Sequence, residues 1–347
     1  MPASYRNRLL RTITLVVGDS VVRMRWKEAL KGLLAVAVVF WLVRSGKLDP
    51  GSLHRALRNP SAILGAVVLI YLGMAGMAWR WNVLLKAQGI ALGFAACFSL
   101  TMIGMVFGTF TPGGAGGDLA RIYYVGERAE TKGKVVLSII MDRLLGLLSL
   151  LLLASIVAAW NYRTVIRDPK LALLYGFVVT SAISGLILLA AAMGASAAIS
   201  RCLRRMATRF RFLGWAASCA DALGVYSKTP STLFLALLLS PIAHLATCAI
   251  FVLLFRTNGA ADVSLKDLAL TVPVALAASA IPITPAGIGV GQVAFFTILQ
   301  LVAGRGRDGS NAFTIYQCVY IAVSLTGLIF YFAQKKRLTA PVVECVA

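Results

Sequence analysis

Charged residues are scarce in this chain of 347 residues, at 14%, whereas 59% of the residues are hydrophobic. The mean hydropathy is +0.83. One soluble core of this length could not bury so much apolar material. The composition therefore excludes an ordinary soluble enzyme and predicts an integral membrane protein.

Sequence signals of catalysis are missing as well. The chain has no H-E-x-x-H zinc motif, no phosphate-binding G-x-x-x-x-G-K-[ST] loop and no G-x-S-x-G nucleophile elbow. Metal-dependent hydrolysis and ATP-driven transport therefore lack support. The six cysteines show no C-x-x-C spacing, which predicts free thiols. We expect no cofactor and no metal.

Acidic residues are few, 13 against 34 Lys and Arg, so the formal net charge is +21. In a multi-pass membrane protein such an excess records orientation more often than nucleic-acid binding. With a cytoplasmic N-terminus, segments on the inside hold 22 Lys and Arg, those outside hold 11, and Arg143 completes the 34. This bias predicts a bacterial-type cytoplasmic (inner) membrane protein with both termini in the cytoplasm. We expect an anionic membrane surface, and no nucleic acid, to face the basic segments.

Long apolar runs are what the chain does have. Six are long enough to span a bilayer, which needs ~20 residues; they lie at about 31–45, 61–79, 134–160, 171–197, 232–255 and 312–333. Two more, 92–121 and 268–304, are interrupted in the middle by Gly and Pro. Irregular backbone cannot face lipid, so these interruptions must be buried in protein or line a cavity.

The two interruptions resemble each other. The chain reads Thr-Pro-Gly-Gly-Ala-Gly from Thr111 and, 173 residues later, Thr-Pro-Ala-Gly-Ile-Gly from Thr284. Four of six positions match across half the chain length, which favours an internal duplication, with a chance match of common loop residues as the alternative. Because the charge bias makes the hairpins enter from opposite sides, the repeats would be inverted. Such paired interruptions point to a transporter's binding site.

The predicted fold is therefore an all-α polytopic membrane protein with about six full spans and two re-entrant helical hairpins in inverted-topology repeats. Its expected parts are a basic interfacial segment at 1–30, a transmembrane domain at 31–335 and a cytoplasmic tail at 336–347. Within the domain, repeat one covers about 31–197 with hairpin 92–121, and repeat two about 232–333 with hairpin 268–304. A basic amphipathic connector, 201–228, is expected to lie on anionic lipid.

Four charged residues fall at membrane depth: Asp118, Arg121, Asp142 and Arg143. A charge there costs at least ~2.5 kcal/mol, so each is a functional hypothesis. Asp142 and Arg143 are adjacent and point in different directions, so each needs another partner. Asp118 and Arg121 are three apart and could pair on one helical face. At Arg80-Trp81 we expect only anchoring at the membrane surface.

The glycine run suggests an anion site. Gly113, Gly114, Gly116 and Gly117, after Pro112, leave backbone N–H groups free to point at a ligand at a helix start, which favours anions. With Arg121 and Arg143 as charge partners, a phosphodiester is the natural ligand. The alternative is that the glycines permit close packing and the Asp–Arg sets are buried ion pairs.

The second interruption carries no charge. Pro285, Gly287 and Gly289 are followed by Gln292, which could contact a head group or satisfy the freed backbone. His244 lies in the middle of a span, and a hydrogen-bonded structural role is favoured over a proton relay.

Together these motifs resemble the membrane domain of the lysylphosphatidylglycerol synthase/flippase family over most of 30–335. The resemblance rests on four segments: Arg80-Trp81 with Leu84-Leu85; Pro112 with Gly116-Gly117-Asp118 and Arg121; Asp142-Arg143 with Gly146; and Ile281 to Val290. It implies a translocase that moves a phospholipid or a lipid-linked head group between leaflets. Two residues depart from the family pattern: Gln292 stands where Glu is common, and Thr109 where Asn is common. The first departure puts coupling through a carboxylate there in doubt.

The family's full synthase has a soluble aminoacyl-transfer domain, and this chain ends about ten residues after its last apolar run, so synthase chemistry is not expected. The expected function is a lipid translocase whose substrate is a phospholipid or polyprenyl-type lipid, with a homo-oligomer left open. Two alternatives remain: an intramembrane transferase with Asp118 or Asp142 as general base, and a non-transporting scaffold.

Overall fold

A computed structural model describes residues 58–334 with gaps at 112, 127–128, 208–212 and 258–261, together with four isolated residues before 58. The expected interfacial segment at 1–30 and the tail at 336–347 lie outside the described residues. So does the first expected span, 31–45, apart from Phe40 and Arg44.

The described part of the chain is helical and contains no β-strand. The helices are α1 (Pro60–Ala87), α2 (Phe94–Thr109), α3 (Ala115–Val125), α4 (Ala129–Trp160), α5 (Tyr162–Val165), α6 (Pro169–Ala207), α7 (Leu213–Lys228), α8 (Pro230–Thr257), α9 (Leu265–Ser279), α10 (Val290–Ala303), α11 (Gly306–Leu325) and α12 (Gly327–Gln334). Three long helices begin at a proline, Pro60, Pro169 and Pro230, because the first turn needs no N–H donor there. Ser264 caps α9 by accepting a hydrogen bond from the Asp267 N–H at 3.1 Å.

Five described segments are long and apolar enough to cross a membrane: Pro60–Ala87, Lys132–Trp160, Pro169–Cys202, Pro230–Thr257 and Gly306–Ala333. They coincide with the five expected spans that fall in the described part of the chain. Helices α2 and α10 are apolar but shorter. The predicted all-α fold is thus confirmed, with five candidate spans.

Each interrupted stretch folds as two helices joined by a loop. Helices α2 and α3 pack on each other, as do α9 and α10. The first pair packs so closely that a Cβ on Gly117 would lie 2.3 Å from the Gly104 carbonyl oxygen. A Cβ on Gly113 would lie 2.6 Å from Pro282 Cβ, so the two loops touch at their tips. The two interruptions are therefore brought together in space.

Small residues and aromatic rings hold the spans around these loops. Helices α1 and α8 pack closely where Gly76 contacts Ile242. A Cβ added to Gly76 would lie 2.9 Å from the Ile242 side chain. Small residues at such contacts are usual in closely packed membrane helices. Around α10, the Phe295 ring stacks on Phe251 at 4.5 Å and lies 4.9 Å from Phe313. The second helix pair is thereby embedded in the largest apolar core.

The connector 201–228 differs from the expected surface helix. Its first part continues α6 to Ala207, and its last part is α7, which packs against α4 and α6. Tyr226 of α7 is fully buried and donates a hydrogen bond to the Leu84 carbonyl at 3.0 Å. This end of the connector is therefore part of the helical bundle, because its apolar face finds a protein partner instead of lipid.

Candidate functional site

A cluster of charged side chains lies where α1, α3 and α4 meet. Asp142 of α4 is 2% exposed and pairs with Arg80 of α1, with 2.6 Å between Oδ1 and Arg80 Nε. Arg80 also donates to Ser240 Oγ of α8 at 3.0 Å. Arg80 thus links α1 to α4 through Asp142 and to α8 through Ser240.

Arg121 of α3 completes the buried set. Its Nη1 lies 3.5 Å from Asp142 Oδ2, and its Nη2 donates to Thr101 Oγ1 at 3.3 Å. Its guanidinium carbon lies 4.8 Å from the centre of the Trp81 ring, in reach of a cation–π contact. Its Nε is buried and has no hydrogen-bond partner among the described residues. Arg121 is therefore held more loosely than Arg80, although only 7% of it is exposed.

The second ion pair joins Arg143 to Asp118, with 2.5 Å between Nε and Oδ2. The Arg143 side chain is 49% exposed and that of Asp118 is 23% exposed, so this pair lies at the edge of the cluster. As expected, the adjacent Asp142 and Arg143 each have partners elsewhere. The expected pairing of Asp118 with Arg121 is wrong, because α4 presents a closer partner to each of them.

Arg143 also binds the first loop. It donates to the Gly113 carbonyl at 2.8 Å from Nη1 and to the Gly114 carbonyl at 3.1 Å from Nη2. Gly114 has φ +71°, and a Cβ there would lie 3.0 Å from Arg143 Nη2. Glycine is needed at this position both for the left-handed backbone and for the approach of the guanidinium.

The expected anion cradle of free N–H groups is not what the first loop presents. The Gly116 N–H donates to Thr111 Oγ1 at 2.8 Å, and the N–H groups of Gly114 and Gly117 donate to carbonyls inside the loop. Carbonyl oxygens face the cation instead. Three of the four N–H groups expected to bind an anion are therefore engaged within the loop, and the arginines are the cationic groups that remain to hold one. Pro112 lies outside the described residues.

The second loop is satisfied by neutral side chains. Gln292 Oε1 accepts from the Gly289 N–H at 2.7 Å, while its Nε2 donates to Gln317 Oε1 at 2.9 Å. Gln317 in turn donates to the Ala286 carbonyl at 2.8 Å. The Gly287 N–H donates to the Thr284 carbonyl at 3.3 Å.

These hydrogen bonds close a turn that contains Gly287, Gly289 and Gln292. Gly287 and Gly289 have φ +69° and +84°. Pro285 is half-buried in the same turn. Pro282, just before this turn, lies against Gly113 of the first loop.

His244 has a structural partner, since its Nε2 lies 2.9 Å from the Gly146 carbonyl oxygen. Gly146 also leaves room for Arg80, because a Cβ there would lie 3.1 Å from Arg80 Nη1. The favoured structural role of this histidine agrees with that contact.

The sequence reasoning missed Arg80, which it assigned to surface anchoring together with Trp81. Arg80 is 4% exposed and Trp81 is fully buried, with the indole N–H donating to Ser138 Oγ at 3.1 Å. Only Trp79, which is half exposed, faces outward as an anchor would. The sequence does contain a signal that Arg80 is buried, because apolar residues resume after it. In the structure the helix continues to Ala87. When the buried Arg80 and Arg121 are left out of the count, the segments expected inside hold 20 Lys and Arg and those expected outside hold 11. The charge bias therefore still favours the same orientation.

Comparisons with known proteins show the family to which the chain belongs. The family model of the lysylphosphatidylglycerol synthase TM region matches residues 29–332. A UPF0104 membrane protein of Methanothermobacter thermautotrophicus is 30% identical over 99 residues, which is 28% of this chain and 28% of that protein. No solved structure matches the chain significantly. The apolar helices and the matched family identify a multi-pass membrane protein.

Proposed function

The chain belongs to the family of the lysylphosphatidylglycerol synthase TM region, and we propose that it is a lipid translocase. Its substrate is a phospholipid or polyprenyl-type lipid whose anionic head group binds at Arg121 and Arg143. The protein lies in the cytoplasmic membrane of a bacterial-type cell with both termini inside. It moves lipid without making or breaking a covalent bond.

One observation carries the proposal: three arginines and two aspartates of the described residues lie together in a helical bundle, and three of the five are buried. Arg80, Arg121 and Asp142 are each less than a tenth exposed. Ionisable groups at membrane depth are costly and usually mark a substrate pathway. Guanidinium groups suit a phosphate because they donate two parallel hydrogen bonds.

The surroundings of Arg143 suit a lipid as substrate. Its half-exposed guanidinium lies beside Asp118, and the neighbouring side chains Leu119, Leu144 and Leu147 are 65%, 49% and 44% exposed. A lipid could place its phosphate on the guanidinium while its acyl chains lie along these apolar side chains. A soluble anion would gain nothing from that apolar surface.

The paired loops support a transport topology. We propose that α2–α3 and α9–α10 are re-entrant hairpins that enter from opposite sides and belong to an inverted repeat. Their short apolar helices, similar loop sequences and touching tips are what such an arrangement requires. Movement of one hairpin against the other would then expose Arg143 to each leaflet in turn.

The test is leaflet transfer of fluorescent phosphatidylglycerol in proteoliposomes. We expect Arg143→Ala to lower the rate by more than about tenfold, because the variant loses the accessible guanidinium. Arg163→Ala is the matched control, since Arg163 is exposed on α5 and its polar and cation–π contacts among the described residues are with its neighbour Tyr162. Near-normal transfer by folded Arg143→Ala would contradict the proposed site. Mass spectrometry of the lipid should recover it unchanged; a modified lipid would favour a transferase.

A further inference from the structure

We infer that the lipid head group is held from two sides, by Arg121 and Arg143 on one side and by the hydroxyl of Tyr320 of α11 on the other. This inference rests on the proposed function and adds a binding residue to its site. It also brings the second half of the chain into contact with the substrate, because α11 follows the second hairpin directly.

Tyr320 borders a space inside the helical bundle. It lies midway between Gly306 and Ala333, the ends of the last candidate span. Its hydroxyl lies deep among protein atoms, yet the residue is only half-buried. A side chain that lies deep in the protein and still has accessible surface lines an internal cleft, because the outer surface of the bundle is remote from it.

The cleft lies next to the charged cluster. Tyr320 is close enough to Arg121 and Arg143 to interact with both electrostatically. Helix α11 packs against α2, and α2 carries Thr101, whose hydroxyl accepts a hydrogen bond from Arg121 at 3.3 Å. The space that Tyr320 lines is therefore bordered by the same arginines to which the proposed function assigns the head group.

The Tyr320 hydroxyl has no hydrogen-bond partner among the described residues. An unpaired hydroxyl at membrane depth is unfavourable, so its partner has to come from the cleft. Water fills this role in the empty site. A phosphate oxygen fills it in the loaded site, since a tyrosine hydroxyl can donate and a charged phosphate is a strong acceptor.

Tyr316 provides a structural hydroxyl on the same helix for comparison. Its ring lies one turn before that of Tyr320, with 5.8 Å between the ring centres. Its hydroxyl is within hydrogen-bond reach of Thr247 of α8, and Thr247 in turn donates to the Ala243 carbonyl at 2.9 Å. The two tyrosines thus differ in whether the hydroxyl has a partner within the protein.

Helix α11 also connects Tyr320 to the second loop. Gln317, three residues before Tyr320, donates to the Ala286 carbonyl at 2.8 Å and accepts from Gln292 Nε2 at 2.9 Å. Residues three apart are neighbours on a helix surface. A head group that bridges Arg143 and Tyr320 would therefore contact both proposed repeats, and a movement of one hairpin against the other would change the distance between its two sets of ligands.

The experiment compares Tyr320→Phe with Tyr316→Phe, because each variant removes one hydroxyl and keeps the ring. Leaflet transfer is measured in proteoliposomes with fluorescent phosphatidylglycerol and with a labelled polyprenyl phosphoryl sugar. The two lipids share a phosphodiester and separate the two sources of that chemistry. Whichever lipid the wild type moves is then used for the variants, at several lipid fractions, and the unfolding temperature of each variant is recorded.

We expect Tyr320→Phe to lower the transfer rate about tenfold, as the loss of a hydrogen bond to a charged group predicts. The lipid fraction at half-maximal rate should rise, and the unfolding temperature should not fall, because no protein partner is left unpaired. Tyr316→Phe should show the opposite pattern. Its unfolding temperature should fall, because the bond to Thr247 is lost, while transfer per folded molecule stays unchanged.

Unchanged transfer by Tyr320→Phe, in membranes where Arg143→Ala loses it, would overturn the inference and leave the translocase intact. A fall in the unfolding temperature of Tyr320→Phe that accounts for the lost transfer would do the same. If Tyr320→Phe does not fold, photolabelling of the wild type decides. The transported lipid, carrying a photoreactive head group, should label the peptide that contains Tyr320, and labelling that spares this peptide would contradict the contact. Transfer of neither lipid by the wild type would contradict the proposed function itself.

Discussion

The two loops that interrupt the apolar helices share a sequence pattern and differ in chemistry. Both place glycines in the left-handed region, Gly113 and Gly114 in the first loop and Gly287 and Gly289 in the second. The first loop is held from outside by a cation, Arg143, which binds its carbonyls. The second is held by the amide of Gln292, which accepts a backbone N–H.

This difference shows that charge is not needed to close such a loop. The second loop satisfies its freed backbone with neutral groups that cost far less to bury than ions. The two ion pairs of the first hairpin therefore exceed what the fold requires. That excess is the reason to place substrate binding at the first hairpin and a structural role at the second.

The largest effect should come from removing the shared acid of the charged hairpin. Asp142→Asn would leave Arg80 and Arg121 buried without a counter-charge, so we expect a loss of about 3–5 kcal/mol in the free energy of unfolding. Equilibrium unfolding in mixed micelles measures it. Asp168→Asn is the control, because this residue accepts an N–H at a helix start, where Asn serves equally. A loss below about 1 kcal/mol for Asp142→Asn would argue that the cluster is solvated.

The contact between the two loops should give an intermediate effect. Gly113→Ala should destabilise the fold in two ways. The left-handed backbone at this position costs a residue with a Cβ about 1–2 kcal/mol. The new Cβ would also lie 2.6 Å from Pro282 Cβ, and such overpacking costs about 1–3 kcal/mol. Gly304→Ala is the matched control, since Gly304 has φ +70° and nothing within 4 Å of the added Cβ. Unfolding and lipid transfer of both variants separate strain from contact. Equal losses in the two variants would show that the loops do not meet.

The smallest effect is expected at the neutral hairpin. Gln292→Leu would leave the Gly289 N–H and Gln317 Oε1 without partners, which costs about 1–3 kcal/mol. We expect lipid transfer per folded molecule to persist if the second loop has only the structural role that its neutral network favours. Transfer assays normalised to the amount of folded protein test this expectation. Gln300→Leu is the control, because Gln300 lies at the other end of α10 and its Oε1 also accepts from a backbone N–H, that of Gly306. Selective loss of transfer in Gln292→Leu would give the second hairpin a direct role.

The sequence alone was sufficient for much of the fold. Apolar runs longer than the bilayer is thick have to become helices, because only helices satisfy their backbone in lipid. Five expected spans match α1, α4, α6, α8 and the α11–α12 segment. The positions of both loops followed from Gly and Pro, whose backbone preferences are local. The charged residues at membrane depth could also be identified from the sequence, because the free-energy cost of placing a charge in the bilayer depends on the residue type.

Partners were decided by the tertiary structure. Asp118 pairs with Arg143 and not with Arg121, because α4 lies beside α3, a proximity that spacing along one helix cannot reveal. Arg80 belongs to the site because α1 delivers it to Asp142, 62 residues away in the chain. Local sequence therefore determined which groups are costly to bury. Only packing decided which of them neutralise each other and made Arg80 and Arg121 share one acid, Asp142.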